Sequence, residues 1–304
     1  RPRLDALIDV IAPIALDGQV VSGDDVDQAL EGVTDVVLLA SLVGDPVCKR
    51  NPELARAVNL EGARNVLARA QERGAERFVF ASTCSNYGLR EDGTPASEED
   101  ELHPLSLYAE TKVEMEHEIL SEERDLTPTV LRVSTAYGMS PRMRFDLTVS
   151  EFTRELARGR GLDVYDADTW RPYCHVQDIS DAIVTVLGAG PEAVGGEVFN
   201  VGGDEGNFTK RGIVEACLER IDDPGEVRWV EGGADARNYR VSFAKISERL
   251  GWRPSHTVPG AIANLGGALR AGLFADVEER PLYYGNLHLR SDEGGEGTGG
   301  GDAG

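Results

Sequence analysis

The chain has 304 residues, enough to bury one large or two modest cores, and carries 53 acidic against 31 basic residues for a net charge of −22. That charge repels nucleic acid and anionic membranes and argues against both as partners. No apolar run approaches the roughly 20 residues that span a bilayer, and no basic-then-apolar signal segment opens the chain.

Short apolar, β-branched runs alternate with longer helical patterns, the signature of strand-helix-strand units on a parallel sheet. Residues 36–40 read as the first buried strand. A helix over 52–73 follows, opened by Asn51-Pro52-Glu53, a cap with proline at the first helical position, and closed by Arg73-Gly74. A strand at 77–82, a helix over 105–124 and a strand at 129–134 continue the alternation. After Gly138 the pattern loosens into a helix over 145–158, a strand at 162–165, a helix from Asp178 and a strand at 197–201. The stretch from Gly188 to Gly196 reads as a loop, and segments at 209–220, 242–250 and 259–271 complete a smaller, mixed, substrate-covering lobe. The Gly-, Glu- and Asp-rich tail, 291–304, is expected to be disordered.

The four cysteines (Cys48, Cys84, Cys174, Cys217) form no Cys-x-x-Cys pair, and the five histidines form no His-x-x-x-His. Reduced thiols, no metal site and a cytoplasmic location are the expectation. Lysine is scarce, at Lys49, Lys112, Lys210 and Lys245. An acidic, lysine-poor surface resembles proteins of salt-loving cells, where molar salt screens charge within about 3 Å; a GC-rich genome gives the same bias.

The chemistry concentrates at Tyr108-Ala-Glu-Thr-Lys112. Four residues apart on a helix, the phenol and the ammonium share one face. The positive charge is expected to favour the phenolate of a group that ordinarily titrates near ~10 and to make it a general base. Upstream, the strand ends in Ser82-Thr83-Cys84-Ser85.

These residues fall in an ordered series: Ser-Gly-Asp-Asp (22–25), Asp-Val-Val-Leu-Leu-Ala (35–40), Asn59-Leu-Glu-Gly, the Ser/Thr strand, Tyr-x-x-x-Lys, Leu131-Arg132 running to Tyr137-Gly138, Arg171-Pro-Tyr-Cys-His-Val-Gln-Asp178, Phe-Asn-Val-Gly (199–202) and Leu-Gly-Trp (250–252). Through them the chain resembles the extended short-chain dehydrogenase/reductase family, specifically its nucleotide-sugar epimerases and dehydratases. The resemblance implies a Rossmann-like doubly wound parallel sheet. It divides the chain into a nucleotide-binding domain over 1–140, to which 172–202 returns, and a substrate lobe over 141–171 and 203–290. It implies NAD as cofactor, or NADP, a nucleotide-diphosphate sugar as substrate, and a homodimer formed through the helices at 52–73 and 105–124.

Carried over residue by residue, Thr83, Tyr108 and Lys112 match the catalytic positions. Asp24, Asp25, Leu39, Ala40, Ser41, Asn59 and Ser82, with Tyr108 and Lys112, match the cofactor positions. Thr83, Thr135, Arg171 and Arg237 match the substrate positions, the two arginines as diphosphate ligands. A solvated turn or helix cap explains Asp24 and Asp25 equally, and a satisfied buried amide is the bland reading of Asn59. Arg142 and Arg144 either contact substrate or pair with surface acids.

Three departures bear on function. No Gly-x-x-Gly-x-x-Gly turn precedes residue 36, since Gly18, Gly23 and Gly32 lack the spacing. By comparison with the family, Arg1 falls just after the second strand, implying a truncation of roughly forty residues and a fold without its first strand-helix-strand unit. Where 4,6-dehydratases carry Thr-Asp-Glu, this chain has Thr83-Cys84-Ser85, which favours epimerisation or simple redox. Thr135 stands where galactose-type 4-epimerases have asparagine. The expectation is an NAD-dependent epimerase acting at C4 of the sugar in glycan or surface polysaccharide synthesis. The alternatives are a ketoreductase or dehydratase of the same family, or a non-catalytic nucleotide-binding subunit.

Overall fold

A computed structural model describes residues 23–90, 92–121, 124–233 and 237–286. The expectations for segment 1–22 and for tail 291–304 lie outside the described residues. In chain order the strands are β1 (Asp35–Leu38), β2 (Arg77–Thr83), β3 (Thr127–Val133), β4 (Thr135–Tyr137), β5 (Leu162–Tyr165), β6 (Trp170–His175), β7 (Glu197–Val201), β8 (Asn207–Thr209) and β9 (Val227–Val230). The helices are α1 (Gly23–Ala29), α2 (Asp45–Arg50), α3 (Pro52–Arg56), α4 (Ala63–Glu72), α5 (Leu107–Ser121), α6 (Thr148–Ala157), α7 (Val176–Gly188), α8 (Pro191–Val194), α9 (Lys210–Leu218), α10 (Ala244–Leu250), α11 (Val258–Arg270) and α12 (Pro281–Tyr284).

The main sheet has the order β1-β2-β3-β7 and all its pairs are parallel. Parallel neighbours need long crossovers, and helices supply them. Because side chains alternate along a strand, β2 sends Phe78 and Phe80 to one face and Val79 to the other. Phe78 and Phe80, with Val36, Leu38 and Val130, meet Leu67 and Ala70 of α4 and Met115 and Ile119 of α5. On the opposite face Val79, Leu131, Phe199 and Val201 meet Ala182 and Val186 of α7 and Ile246 of α10. Apolar residues on both faces of a parallel sheet, each covered by helices, make the doubly wound, Rossmann-like fold.

A separate core joins α6, α9 and α11 through Phe152, Leu156, Ile213, Cys217 and Ile262. It packs around β5 and β6, of which β5 pairs with β9 and β6 with β4 and β8. Residues 239–252 belong to the main sheet's packing instead: Tyr239, Val241, Phe243, Ile246 and Trp252 share the core of α7.

Local features differ from the sequence expectation, beginning with the stretch Gly188–Gly196, read as a loop, which holds α8 (Pro191–Val194). The helix expected over 52–73 is interrupted, passing from α3 through a π-helical stretch, Ala57–Gly62, into α4. Wide π turns recur at functional sites, and this one turns Asn59 inward. Likewise, β1 stops at Leu38, so 39–44 form a connection and Asp45 opens the unexpected α2, with Pro46 in its first turn.

Behind β2 and β3 lies a buried polar network. Arg132 of β3 forms a salt bridge with Glu116 of α5 at 2.8 Å, both nearly inaccessible. Ser82 donates to the same carboxylate, as does Asn86 at 2.8 Å. Arg132 also reaches the Tyr87 hydroxyl at 3.0 Å, which donates to Asn200 Oδ1 at 2.8 Å. Removing one partner strands the other's charge in the core. Arg132→Met should therefore lower unfolding free energy by about 3–5 kcal/mol, read from urea midpoints, and Arg132→Met with Glu116→Leu should recover much of the loss. A single variant as stable as wild type would contradict this account of the core.

Candidate active site

The site forms where β1 and β2 end and α5 crosses them. Thr83 closes β2 with an extended backbone and caps the short 3-10 turn Cys84–Tyr87, its Oγ1 accepting from the Ser85 amide at 3.1 Å and meeting Ser85 Oγ at 2.8 Å. A hydroxyl carries one donor and two acceptor sites, and either hydroxyl of the Thr83–Ser85 pair can be the donor; where Ser85 donates, Thr83 keeps its own O–H. Cys84 Sγ donates to the Arg132 carbonyl at 3.1 Å, and burial pushes its thiol up to about 12.

On α5, Tyr108 and Lys112 share a face, with the Lys112 ammonium 5.9 Å from the Tyr108 ring centroid. Lys112 is only 2% exposed. Its Nζ donates to the Ala81 carbonyl at 2.9 Å and lies 4.6 Å from the Phe80 ring centroid. The expected electrostatics are reversed in one respect. Burial pushes the Tyr108 phenol above its ordinary value, and nearby Cys48 and Asp45 add to the rise. The helical spacing does bring ring and ammonium together, but the ammonium is drawn toward a backbone carbonyl and desolvation of the phenolate dominates.

Asn59 fastens this arrangement. Its Oδ1 accepts from the Leu42 amide at 2.7 Å and from Ser41 Oγ at 2.9 Å, while Nδ2 donates to the Leu42 carbonyl at 3.2 Å and to Thr111 Oγ1 at 3.3 Å. Thr111 in turn donates to the Tyr108 carbonyl at 2.8 Å. The amide is satisfied and buried, and through those bonds it also ties the end of β1 to the Tyr108 turn.

The other expected residues divide. Leu39, 58% exposed, presents an apolar surface beyond β1, next to Ala40 and Ser41. The Ser82 side chain is buried and taken by Glu116, leaving its backbone for any cofactor contact. Asp25 lies exposed on α1, and the side chain of Asp24 lies outside the described residues. Thr135 begins β4, opposite Tyr173 of β6. Arg171 is buried on β6, bonds the Trp170 carbonyl at 2.7 Å and stacks over Tyr239 at 5.2 Å. Arg237 pairs with Asp45 at 2.7 Å. Arg144 pairs with Asp146 at 2.5 Å, the surface alternative considered for it, and Arg142 reaches the Gly285 carbonyl at 3.3 Å.

Sequence reasoning missed Asp45, Cys48 and Glu116 as neighbours of the pair. Glu116 had a signal, since it continues the 108, 112 stripe by one more helical turn; Asp45 had only the Gly44-Asp45-Pro46 helix start. Among the described residues no group of three or more His, Cys, Asp or Glu could hold a metal ion, and no helix is long and apolar enough to cross a membrane.

The fold and the Tyr-Lys pair define an extended short-chain dehydrogenase/reductase. The chain belongs to the NAD dependent epimerase/dehydratase family, whose profile matches residues 4–202. It is 29% identical over 237 residues to the GDP-6-deoxy-D-mannose reductase of Pseudomonas aeruginosa, covering 73% of this chain and 76% of that one. It is 30% identical over 239 residues to an uncharacterized UDP-glucose epimerase of Bacillus subtilis, covering 77% of this chain and 67% of that protein. The UDP-glucose 4-epimerase of Thermus thermophilus, solved in complex with NAD, superposes with a TM-score of 0.72 at 26% identity over 83% of each chain. Against two further curated relatives, 33% and 34% identical, the chain spans under half of their length, 43% and 45%.

The residues at the ends of β1 and β2 suit the nicotinamide side of such a cofactor. Lys112 keeps two N–H groups beyond its bond to Ala81, and Leu39 offers an exposed apolar face. A glycine-rich turn for the pyrophosphate is not found among the described residues.

Burial brings the Lys112 ammonium from its ordinary 10.5 down to about 8, against the pull of Glu116. Below about pH 8 both folded and unfolded chains hold this proton and the burial penalty is complete; between about 8 and 10.5 only the unfolded chain holds it, so stability rises with pH. Urea unfolding of wild type and Lys112→Met should therefore show their difference moving in favour of wild type across that window. A difference independent of pH would contradict the burial of a charged Lys112.

Proposed function

We propose that the chain is an NAD-dependent epimerase of a nucleotide-diphosphate sugar, inverting C4 through a transient ketone, in glycan or surface polysaccharide synthesis. The observation that carries this reading is the composition of the strand end beside Tyr108. Elimination of water needs a carboxylic acid and a base next to the tyrosine. After Thr83 stand Cys84, whose thiol is buried against Arg132, and Ser85, whose hydroxyl is engaged with Thr83. Inversion by oxidation and re-reduction needs one proton acceptor and donor, and Tyr108 supplies it.

NAD, held by the residues at the ends of β1 and β2 with Lys112, would supply a reversible hydride acceptor for the C4 hydrogen. Tyr108 takes the proton of the C4 hydroxyl and gives it back after the ketone has turned. Its phenol is raised by burial, so the phenolate depends on positive charge in the closed site, to which Lys112 contributes. With Ser85 as the donor of their shared bond, the Thr83 O–H holds the sugar oxygen in line with Tyr108. Arg171 and Arg237 are the diphosphate ligands in this reading, and the faces of α3 to α5 form the homodimer.

A second reading, a nucleotide-sugar ketoreductase using the same residues, is favoured by the similarity to the Pseudomonas reductase over three quarters of both chains.

UDP-glucose incubated with the protein and NAD should yield UDP-galactose without net cofactor reduction; net consumption of NADPH with a 4-keto sugar nucleotide would favour the reductase instead. Tyr108→Phe should lower turnover by roughly 10²–10⁴-fold with substrate affinity nearly unchanged. Substantial turnover by that variant would remove Tyr108 from the proposed role.

A further inference from the structure

One groove lies outside the residues gathered around Tyr108. It has a volume of about 460 Å³ and is lined by Leu89, Arg90, Gly93, Trp170, Asn238 and Arg240, which places it within the range of small-molecule sites.

Its floor is a ribbon of extended backbone. Arg90 N donates to the Asn238 carbonyl at 3.0 Å, and Tyr239 N donates to the Trp170 carbonyl at 3.3 Å. Side chains alternate along such backbone. Arg171 and Tyr239 turn inward, where both are buried and stack at 5.2 Å. Their sequence neighbours Trp170, Asn238 and Arg240 face the other way, into the groove. A ligand there sits on the reverse of the ribbon from Arg171.

The lining is open to solvent and offers apolar surface, donors and an acceptor together. Trp170 is 36% exposed, and Leu89 is exposed beside it. Arg240 lies over the indole, 5.3 Å from its centroid, and donates one N–H to the Gly93 carbonyl, so its planar fork is held with further N–H groups to spare. Asn238 Oδ1 accepts from the Trp170 amide at 2.9 Å, which leaves the NH2 group as a donor. Asp168, also on the lining, bonds Arg211 yet keeps a side chain 77% exposed, and a carboxylate has acceptor sites beyond those two bonds. The rim is braced. Asp92 accepts from the Thr94 amide at 3.1 Å and from its hydroxyl at 2.7 Å, and Arg90 donates to that hydroxyl at 3.0 Å. Arg90 pairs with Asp92 and Asp100, and Arg211 with Asp168, whereas Arg240 forms no ion pair among the described residues.

We propose that this groove is an accessory carbohydrate site that binds a uronate, a pyranose bearing one carboxylate, with the ring on Trp170 and the carboxylate on Arg240. An exposed indole suits the C–H face of a sugar ring. Donors and an acceptor side by side suit hydroxyls, which both give and accept hydrogen bonds. One guanidinium without an acidic partner suits one carboxylate, which its fork can bond in bidentate fashion. A doubly charged phosphate fits less well, because Asp168 lines the same groove.

The test titrates methyl glucuronide and methyl glucoside, which differ in that carboxylate, into the full chain and follows the ligands by NMR. The glucuronide should bind with a Kd of about 1 mM, at least about tenfold more tightly than the glucoside. Trp170→Ala should weaken the glucuronide by at least about tenfold and Trp170→Phe, which keeps an aromatic face, by less than about threefold; Arg240→Met should bring the two glycosides within about threefold of each other. Saturating UDP-glucose with NAD should leave the glucuronide in place. An oligouronate that binds at least about tenfold more tightly than the single residue assigns the groove to a polysaccharide chain, and a smaller difference assigns it to a free sugar acid. No binding to wild type, equal affinities for the two glycosides, an unchanged affinity in Trp170→Ala, or displacement by UDP-glucose would overturn the proposal.

Discussion

An ammonium buried in the seam between β2 and α5 governs much of what surrounds it. Lys112 cannot lose its hydration without replacements. The chain provides the Ala81 carbonyl, the face of Phe80 and, one helical turn on, the charge of Glu116. Each replacement fixes a piece of backbone. Ala81 must present its carbonyl where β2 is about to end, and α5 must cross at the height that sets Tyr108 over Leu42 and Cys48. The tyrosine is positioned because the lysine beneath it has few other places to go.

The polar residues behind the sheet follow from the same constraint. Glu116 acts on Lys112 and is held by Arg132, Ser82 and Asn86; Arg132 then reaches Tyr87, and Tyr87 reaches Asn200 on β7. This chain of bonds links the α5 side of the sheet to its far strand. It gives a physical reason for segments that look unrelated in sequence, since the Ser/Thr strand, Leu131-Arg132 and Phe-Asn-Val-Gly each contribute to one buried network. Hydrogen bonds in a low-dielectric interior reinforce one another and stiffen what they join; within this network Asn86 Oδ1 alone is buried without a partner among the described residues.

The sheet and the Tyr-Lys pair were legible in the sequence because both rest on short-range periodicity. A short apolar run marked β2, and a four-residue step put Tyr108 and Lys112 together. Asn59 was legible as a residue but not as a fastener, because its four bonds depend on the π turn that rotates it inward. The place of Asp45 beside Tyr108 was not legible, because α2, which it opens, was not. The direction of the Tyr108 shift escaped for a related reason. Spacing tells which charges are near one another, whereas the desolvation that outweighs them depends on packing from α2, invisible until the fold is in hand.

In the proposed epimerisation a single tyrosine manages inversion through a bound cofactor without elimination, which fixes where the C4 hydrogen goes. UDP-glucose deuterated at C4 should give UDP-galactose that retains deuterium at C4 when followed by NMR in light water, since the hydride leaves and returns within one closed site. Deuterium lost to solvent, or found at C6 of a 4-keto-6-deoxy product, would contradict the account.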